Sequence, residues 1–386
     1  MSIRVIIVDD SAFMRRAITR MLRSDPEIEI IASVGDGAQA IEAIKTMQPD
    51  VVTMDIEMPV MDGLTALKHI MTTCPVPVIM MSTLTQSGAT ATLTALSLGA
   101  FDFVPKPESS MVDVFMAERE LREKVRAAAS SKRRRHHSLP PPEAPSSNPP
   151  PTHSPLPHTE SVDLVTPHHP VGIHPEAPAV ATHAAPVAAP LPKRTRVGMP
   201  DLIAIGISTG GPPALQTLFE GLKGDFPVGI VVVQHMPPGF TKPLADRLNR
   251  LSSLTISEAK DGDLIQPHHA LIAPAGTHLI VKREAAGLVC RLMDSSTTKT
   301  WHKPSVDIMF ASIAQTVGPK ALALVMTGMG NDGTAGSVAI KSRGGEIWAQ
   351  DEHSSIVYGM PRAVYEAGVV DRVLPLPSIA GALTHL

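Results

Sequence analysis

The chain has 386 residues, 43% of them hydrophobic and 18% charged, with a formal net charge of −3. That length suffices for two domains with separate cores, and the balanced charge supplies no global field to draw in nucleic acid. The two cysteines, Cys74 and Cys290, are far apart and form neither a zinc spacing nor a disulfide framework, which suits a reducing compartment. A strand pattern begins at the N-terminus, with no signal-peptide pattern and no apolar run of membrane length. A soluble, cytoplasmic protein without membrane insertion is therefore expected.

Ile3 to Val8 is an apolar run that ends at Asp9-Asp10. Ser11 is placed to cap a helix whose Phe13, Met14, Ala17, Ile18, Met21 and Leu22 recur at helical spacing. Further strands are predicted at Ile28–Ala32, Val51–Met54, Val76–Met81 and Phe101–Val104. Helical patterns near Ala38–Met47, Leu64–Met71 and Ala89–Leu98 separate them. Met111, Val114, Leu121, Val125 and Ala128 make a last amphipathic helix. Such alternation predicts a five-stranded parallel sheet covered by helices on both faces.

Polar residues recur at the strand ends of this unit: Asp9, Asp10, Asp55 and Ser82, with Lys106 after the fifth strand. In a doubly wound sheet those ends converge on one edge, and clustered carboxylates there call for a hard cation such as Mg²⁺. A single aspartate in such a place is usually a turn residue, but three carboxylates, a hydroxyl and a lysine on one edge make a constellation. The blocks VDDSAFMRR, TMDIEMPVMDG, MMSTLT and DFVPKP resemble those of response-regulator receiver domains, over residues 1–129. The resemblance implies phosphorylation of Asp55 by a histidine-kinase partner. It also implies Mg²⁺ held by Asp10, Asp55 and the Glu57 backbone carbonyl with Asp9 behind them. Lys106 would contact the phosphoryl group, and Ser82 would report it to the fourth helix.

Of the 37 prolines, 17 fall between Pro140 and Pro200, and 8 of the 16 histidines fall between His136 and His183. Few large apolar residues accompany them, so residues 130–199 are expected to be a disordered linker. Lys132-Arg133-Arg134-Arg135 directly follows a helical pattern, where cations suit the helix C-terminus. A DNA-binding regulator would need a recognition helix beside a basic face, and this run is in the wrong setting for one.

Leu202 to Ile207 reads as a buried strand that stops at Ser208-Thr209-Gly210-Gly211, with Pro212-Pro213 suited to a first helical turn. Gly206 to Gly210 matches G-x-S-x-G, which exposes a serine at a strand-to-helix turn. Val228–Gln234 is the next strand, ending at His235, and a helix is predicted from Met236-Pro237-Pro238 to about Leu251. Ala270–Ala273 is a short strand, and Leu279–Lys282 with Leu288–Met293 reads as a hairpin. Pro304–Thr316 reads as a helix and Ala321–Thr327 as a strand leading into Gly328-Met329-Gly330-Asn331-Asp332-Gly333. A helix around Ala335–Ser342 and a strand at Glu346–Gln350 follow. Ser208, His235 and Asp332 therefore lie just past predicted strand ends. A nucleophile, a base and a carboxylate that orients the base form a triad. The order Ser, His, Asp differs from the α/β-hydrolase order, so the serine motif does not place the chain in that superfamily.

A competing reading is a nucleotide-binding regulator. Gly328-x-Gly330-x-x-Gly333 follows a strand and precedes a helix, and Asp351 lies close to 20 residues beyond Gly330, as in a dinucleotide fingerprint. Against it, Asp332 puts a negative charge where a pyrophosphate would approach, and Ser208 and His235 are left without a role.

GISTGGPPAL, VVVQHMPPGFT, IAPAGTHL, HKPSVD, MTGMGNDG and VYGMPR resemble the blocks of the CheB family of chemotaxis protein-glutamate methylesterases, over residues 200–386. The resemblance implies Ser208 as nucleophile, His235 as general base, Asp332 as its orienter, and the backbone amides of Thr209 and Met329 as oxyanion donors. It implies hydrolysis of glutamate methyl esters on chemoreceptors, deamidation of receptor glutamines by the same steps, and no cofactor for the esterase reaction. It further implies repression of the catalytic site by the unphosphorylated receiver. The expected chain is a monomer that binds no nucleic acid. Its catalytic unit is expected to be a doubly wound, mostly parallel sheet carrying a hairpin.

Overall fold

The computed structural model describes residues 2–106, 111–137, 198–298 and 300–386. Residues 138–197, the bulk of the expected linker, lie outside the described residues. The first unit alternates β1 (Ile3–Val8), α1 (Ala12–Arg23), β2 (Ile28–Val34), α2 (Gly37–Met47), β3 (Val51–Asp55), α3 (Gly63–Thr73), β4 (Val78–Ser82), α4 (Gln86–Ser97), β5 (Asp102–Pro105) and α5 (Met111–His137). Its strands pair in parallel in the order β2-β1-β3-β4-β5. β3 and β4 are buried throughout, as expected for central strands with helices on both faces.

The helices start where short polar side chains can satisfy free amides. Ser11, Asp36, Asp62 and Thr85 cap α1 to α4 by accepting from Met14, Gln39, Thr65 and Gly88. Ile18, Met21 and Leu22 of α1 are buried, but Phe13 is 74% exposed. Five residues from Ile18, it lies about 140° around the helix and off the core-facing stripe. The last helix of the unit, α5, continues to His137, so residues 130–137, expected as the start of the linker, are helical and the basic run Lys132–Arg135 belongs to the final turns.

The second unit contains β6 (Leu202–Ile207), α6 (Gly211–Gly221), β7 (Gly229–Gln234), α7 (Thr241–Leu251), β8 (Thr255–Glu258), β9 (His269–Ile272), β10 (Thr277–Glu284) and β11 (Gly287–Asp294). It continues with α8 (Val306–Thr316), β12 (Ala321–Val325), α9 (Thr334–Ser342), β13 (Glu346–Gln350), α10 (Met360–Glu366), β14 (Arg372–Leu374) and α11 (Leu376–Thr384). Seven strands pair in parallel in the order β14-β13-β12-β6-β7-β9-β8, while β10 and β11 form the separate antiparallel hairpin. β6 is first in sequence and lies between β12 and β7, so the sheet is wound outward from it in both directions. In an open parallel sheet this switch point is where a crevice opens at the strands' carboxyl ends.

One predicted helix start needs correction. Met236 to Phe240 is loop, and α7 begins only at Thr241. Two consecutive prolines remove amides there, and Gly239 takes a left-handed φ of +87°. Strands β8 and β14 are short and lie at the two edges of the sheet, where a weak apolar pattern suffices.

The two units pack against each other. Leu93, Leu96 and Ser97 of α4 line a crevice with Pro212, Pro213, Leu244 and Leu248 of α6 and α7. Beside it, Phe103 of β5 stacks on Phe240, the residue before α7, with ring centroids 4.9 Å apart. Arg119 of α5 places its guanidinium 4.5 Å from the centre of the Trp301 ring, a cation–π contact.

Candidate active site

Ser208 directly follows β6, His235 directly follows β7, and the loop after β12 carries Asp332. The backbone ties these turns together: the Ser208 amide donates to Thr327 O at 3.0 Å and the His235 amide to Ile207 O at 3.0 Å. Gln234, 2% exposed, donates from Nε2 to the carbonyls of both Ser208 (2.9 Å) and His235 (3.0 Å). The Thr327 hydroxyl donates to Thr209 O at 2.9 Å and accepts from the Val357 amide. Gly328 lies so close to the serine that a Cβ there would come within 2.8 Å of Ser208 Cβ and 2.4 Å of Met360 Sδ. Only glycine permits that approach of the Met329 loop.

The His235 Nε2 lies 2.8 Å from Asp332 Oδ2. Asp332 itself rests on the start of α8. Its Oδ1 accepts from Ser305 Oγ and the Asp307 amide, both at 2.9 Å, and its Oδ2 accepts from the Val306 amide at 2.7 Å. These are free first-turn amides, so the carboxylate sits in the positive end of the helix dipole. Asp307 returns the arrangement by accepting from Gly333 and Gly336 at the start of α9. Burial alone would raise the Asp332 carboxyl. The bond and charge of His235, with the Asp307 and Val306 amides, outweigh it and hold the group well below the ordinary carboxylate range. His278, fully buried, accepts from the Ser305 amide at Nδ1 and meets the Thr298 and Thr300 hydroxyls at Nε2, which braces the segment before α8.

The other ring nitrogen of His235, Nδ1, is buried and has no hydrogen-bond partner among the described residues. The amides of Thr209 and Met329 likewise enter no hydrogen bond among the described residues. Of the three side chains expected from the sequence, the structure joins His235 to Asp332 and sets Ser208 on the neighbouring strand end, with no hydrogen bond from its hydroxyl among the described residues. Gln234, Ser305, Asp307 and His278, which brace these turns, were not expected. Gln234 stands beside His235 and Ser305-Val306-Asp307 ends the HKPSVD block, yet neither spacing nor residue type says what they bond.

In the first unit, carboxylate oxygens of Asp9, Asp10 and Asp55 lie within 4.8 Å of one another. Lys106 Nζ is 2.6 Å from Asp55 Oδ2 and 3.0 Å from Asp9 Oδ2. Burial pushes the Asp55 carboxyl above its ordinary range against the pull of Lys106. Hard oxygen donors crowded in this way fit a small divalent cation such as Mg²⁺. Ser82 is fully buried and accepts from the Thr92 hydroxyl of α4 at 2.6 Å, so it is joined to the fourth helix.

The Gly328–Gly333 loop does lead into a helix, but it uses its carboxylate on His235 and the α8 amides. Asp351, the candidate ribose ligand of the competing reading, accepts from the Ser354 amide and hydroxyl and closes its own turn. Both cysteines are free, and among the described residues no helix is long and apolar enough to cross a membrane.

Residues 203–383 match the family described as CheB methylesterase, and residues 5–114 match the response regulator receiver domain. A protein-glutamate methylesterase/protein-glutamine glutaminase of Moorella thermoacetica is 42% identical, covering 100% of this chain and 98% of its own. One of the same name from Alkalilimnicola ehrlichii is 44% identical over 100% of both chains. Protein-glutamate methylesterase/protein-glutamine glutaminase 1 of Oleidesulfovibrio alaskensis is 41% identical over 99% of each. None of these similarities favours the nucleotide-binding reading. With relatives of this identity along its whole length, the chain belongs to the CheB methylesterase family and carries a receiver domain ahead of the catalytic one.

Proposed function

We propose that this protein hydrolyses glutamate γ-methyl esters on chemoreceptors, and deamidates receptor glutamines, under control of its receiver. The observation that carries the esterase reading is the bond between His235 and Asp332, made on the sheet edge where the Ser208 turn also lies. Ser208 Oγ attacks the ester carbonyl carbon and its proton passes to His235 Nδ1. Asp332 at Nε2 keeps the ring in the tautomer that can accept it and stabilises the imidazolium. The oxyanion is held by the Thr209 and Met329 amides, which have no other acceptor among the described residues. His235 returns the proton to the departing methoxide, and methanol leaves. Water, deprotonated by His235, then attacks the acyl-enzyme, releasing glutamate and restoring Ser208. For glutamine the same steps release ammonia.

In the receiver, Asp55 is the phosphate acceptor and a histidine kinase the donor. Asp10, Asp55 and the Glu57 carbonyl would hold Mg²⁺ with Asp9 behind them, and the ion would neutralise the charge that otherwise repels a phosphoryl group. Lys106 and Ser82 respond to the modification, and Ser82 passes it to α4 through Thr92. Since α4 faces α6 and α7, a shift of α4 reaches the helix that follows Ser208. The domains are taken as residues 1–129 and 200–386, joined by residues 130–199, in a cytoplasmic protein. Methanol release from methylated receptor, with and without a small phosphodonor and Mg²⁺, tests the whole reading. Release that depends on Ser208 and rises with phosphodonor is expected; its absence from the wild-type protein would overturn it.

A further inference from the structure

His302 takes no part in the chemistry above, yet its imidazole stacks on that of His235 with centroids 3.9 Å and ring planes 8° apart. We propose that His302 is a positioning residue for the base, acting through this stack and through no proton transfer of its own. The inference rests on His235 being the base.

Asp332 grips His235 at one edge of the ring, which fixes Nε2 but leaves the plane free to swing about that bond. A parallel ring against one face restricts that swing and so holds the direction in which Nδ1 points. His302 makes no hydrogen bond among the described residues, so the stack is its contact with the site. Three residues on, Ser305 donates to the same carboxylate that holds His235. One stretch of four residues, His302 to Ser305, therefore meets both the edge and the face of the His235 ring.

The charges around His302 fit a neutral platform. His302 is solvent-exposed as a residue, but His235 covers one face of its ring; loss of water from that face lowers its proton affinity first and the neighbouring His235 second. Arg119 and Lys124 of α5 add to the effect, and Asp332 opposes it. Two stacked imidazoles do not both carry a proton readily. When Ser208 gives up its proton, His235 takes the charge and the neutral His302 ring presents its π face to the cation. Loss of that face should make His235 a slightly weaker base as well as a looser one.

The test uses the full-length protein, phosphorylated with a small phosphodonor, and methylated receptor as substrate. His302→Ala should lower kcat by about tenfold with KM within about twofold, the signature of a misaligned base. The acid limb of kcat/KM should move down by about half a pH unit. His302→Phe, which still stacks, should keep kcat within about threefold of wild type and leave the limb in place. His302→Gln, which can hydrogen-bond but cannot stack, should behave like alanine. Wild-type kcat and an unmoved limb in both the Ala and Gln variants would overturn the proposal, as would a Phe variant as slow as Ala. Thermal unfolding of each variant shows whether a loss follows from unfolding, and the Phe-against-Gln comparison decides the matter even if Ala is unstable. Failure of the base assignment would look different, because His235→Ala would then remain active whatever stands at 302.

Discussion

His235 meets Asp332 through Nε2, at 2.8 Å, so in the proposed mechanism Nδ1 is the nitrogen left for the serine proton. This is the reverse of the assignment in chymotrypsin, where the aspartate holds Nδ1 and Nε2 serves the nucleophile. The two imidazole nitrogens are distinct, but either can take a proton when the other carries one held by a carboxylate. What matters is that the base is held at one edge and open at the other.

Ser208→Ala and His235→Ala should each lower kcat by about 10⁶, and Asp332→Asn by about 10⁴, with no further loss on combining the first two. Steady-state methanol release from methylated receptor measures all three. A Ser208→Ala protein that kept a tenth of its activity would mean another group attacks the ester.

Asp332 should also leave a mark on stability. Its carboxyl is depressed in the folded state, so it stabilises the protein above the unfolded pKa of about 4 and loses that contribution as pH falls through the lower folded value. Asp332→Asn should therefore show a shallower fall in stability than wild type below about pH 4. Urea midpoints at pH 7, 4 and 3 provide the comparison, and parallel curves would contradict the bond to His235.

Asp55→Asn should abolish activation by phosphodonor and Mg²⁺, because it removes the carboxylate oxygen proposed to accept the phosphoryl group. Phosphate incorporation counted on the intact protein is the direct check. A variant that still took up phosphate to the wild-type level would place the acceptor elsewhere.

The receiver's hold on the Trp301 segment should resist opening of the unphosphorylated protein. Arg119→Ala removes a cation–π contact of about 0.5–1 kcal/mol and should raise unphosphorylated esterase activity by about two- to fivefold. Activity of the fully phosphorylated protein should change little. Equal effects in the two states would show that Arg119 does not contribute to repression.

Much of this protein is written in local pattern. The strand runs, the caps at Ser11, Asp36, Asp62 and Thr85, and the prolines after Gly211 follow from side-chain preference acting over a few residues. The side chains proposed for catalysis were legible because parallel strands must place their carboxyl ends on one edge. Any polar residue just past such an end is a candidate wherever its strand falls in the sheet. Sequence alone misplaced the start of α7, where Gly239 and two prolines delay the helix. It also counted Phe13 with the core face of α1, although the helix turns that ring outward.

Tertiary structure decided the rest. That Asp332 rests on the α8 amides, that Gln234 clamps the Ser208 and His235 turns, and that His302 lies face to face with His235 depend on segments up to 67 residues apart in sequence. Hydrogen bonds and ring stacks are satisfied by whichever group packing brings within about 3–4 Å, and no spacing along the chain encodes that neighbour. The same holds for Arg119 over Trp301. The charge and the ring are visible in the sequence, but their meeting exists only once the two domains have packed together.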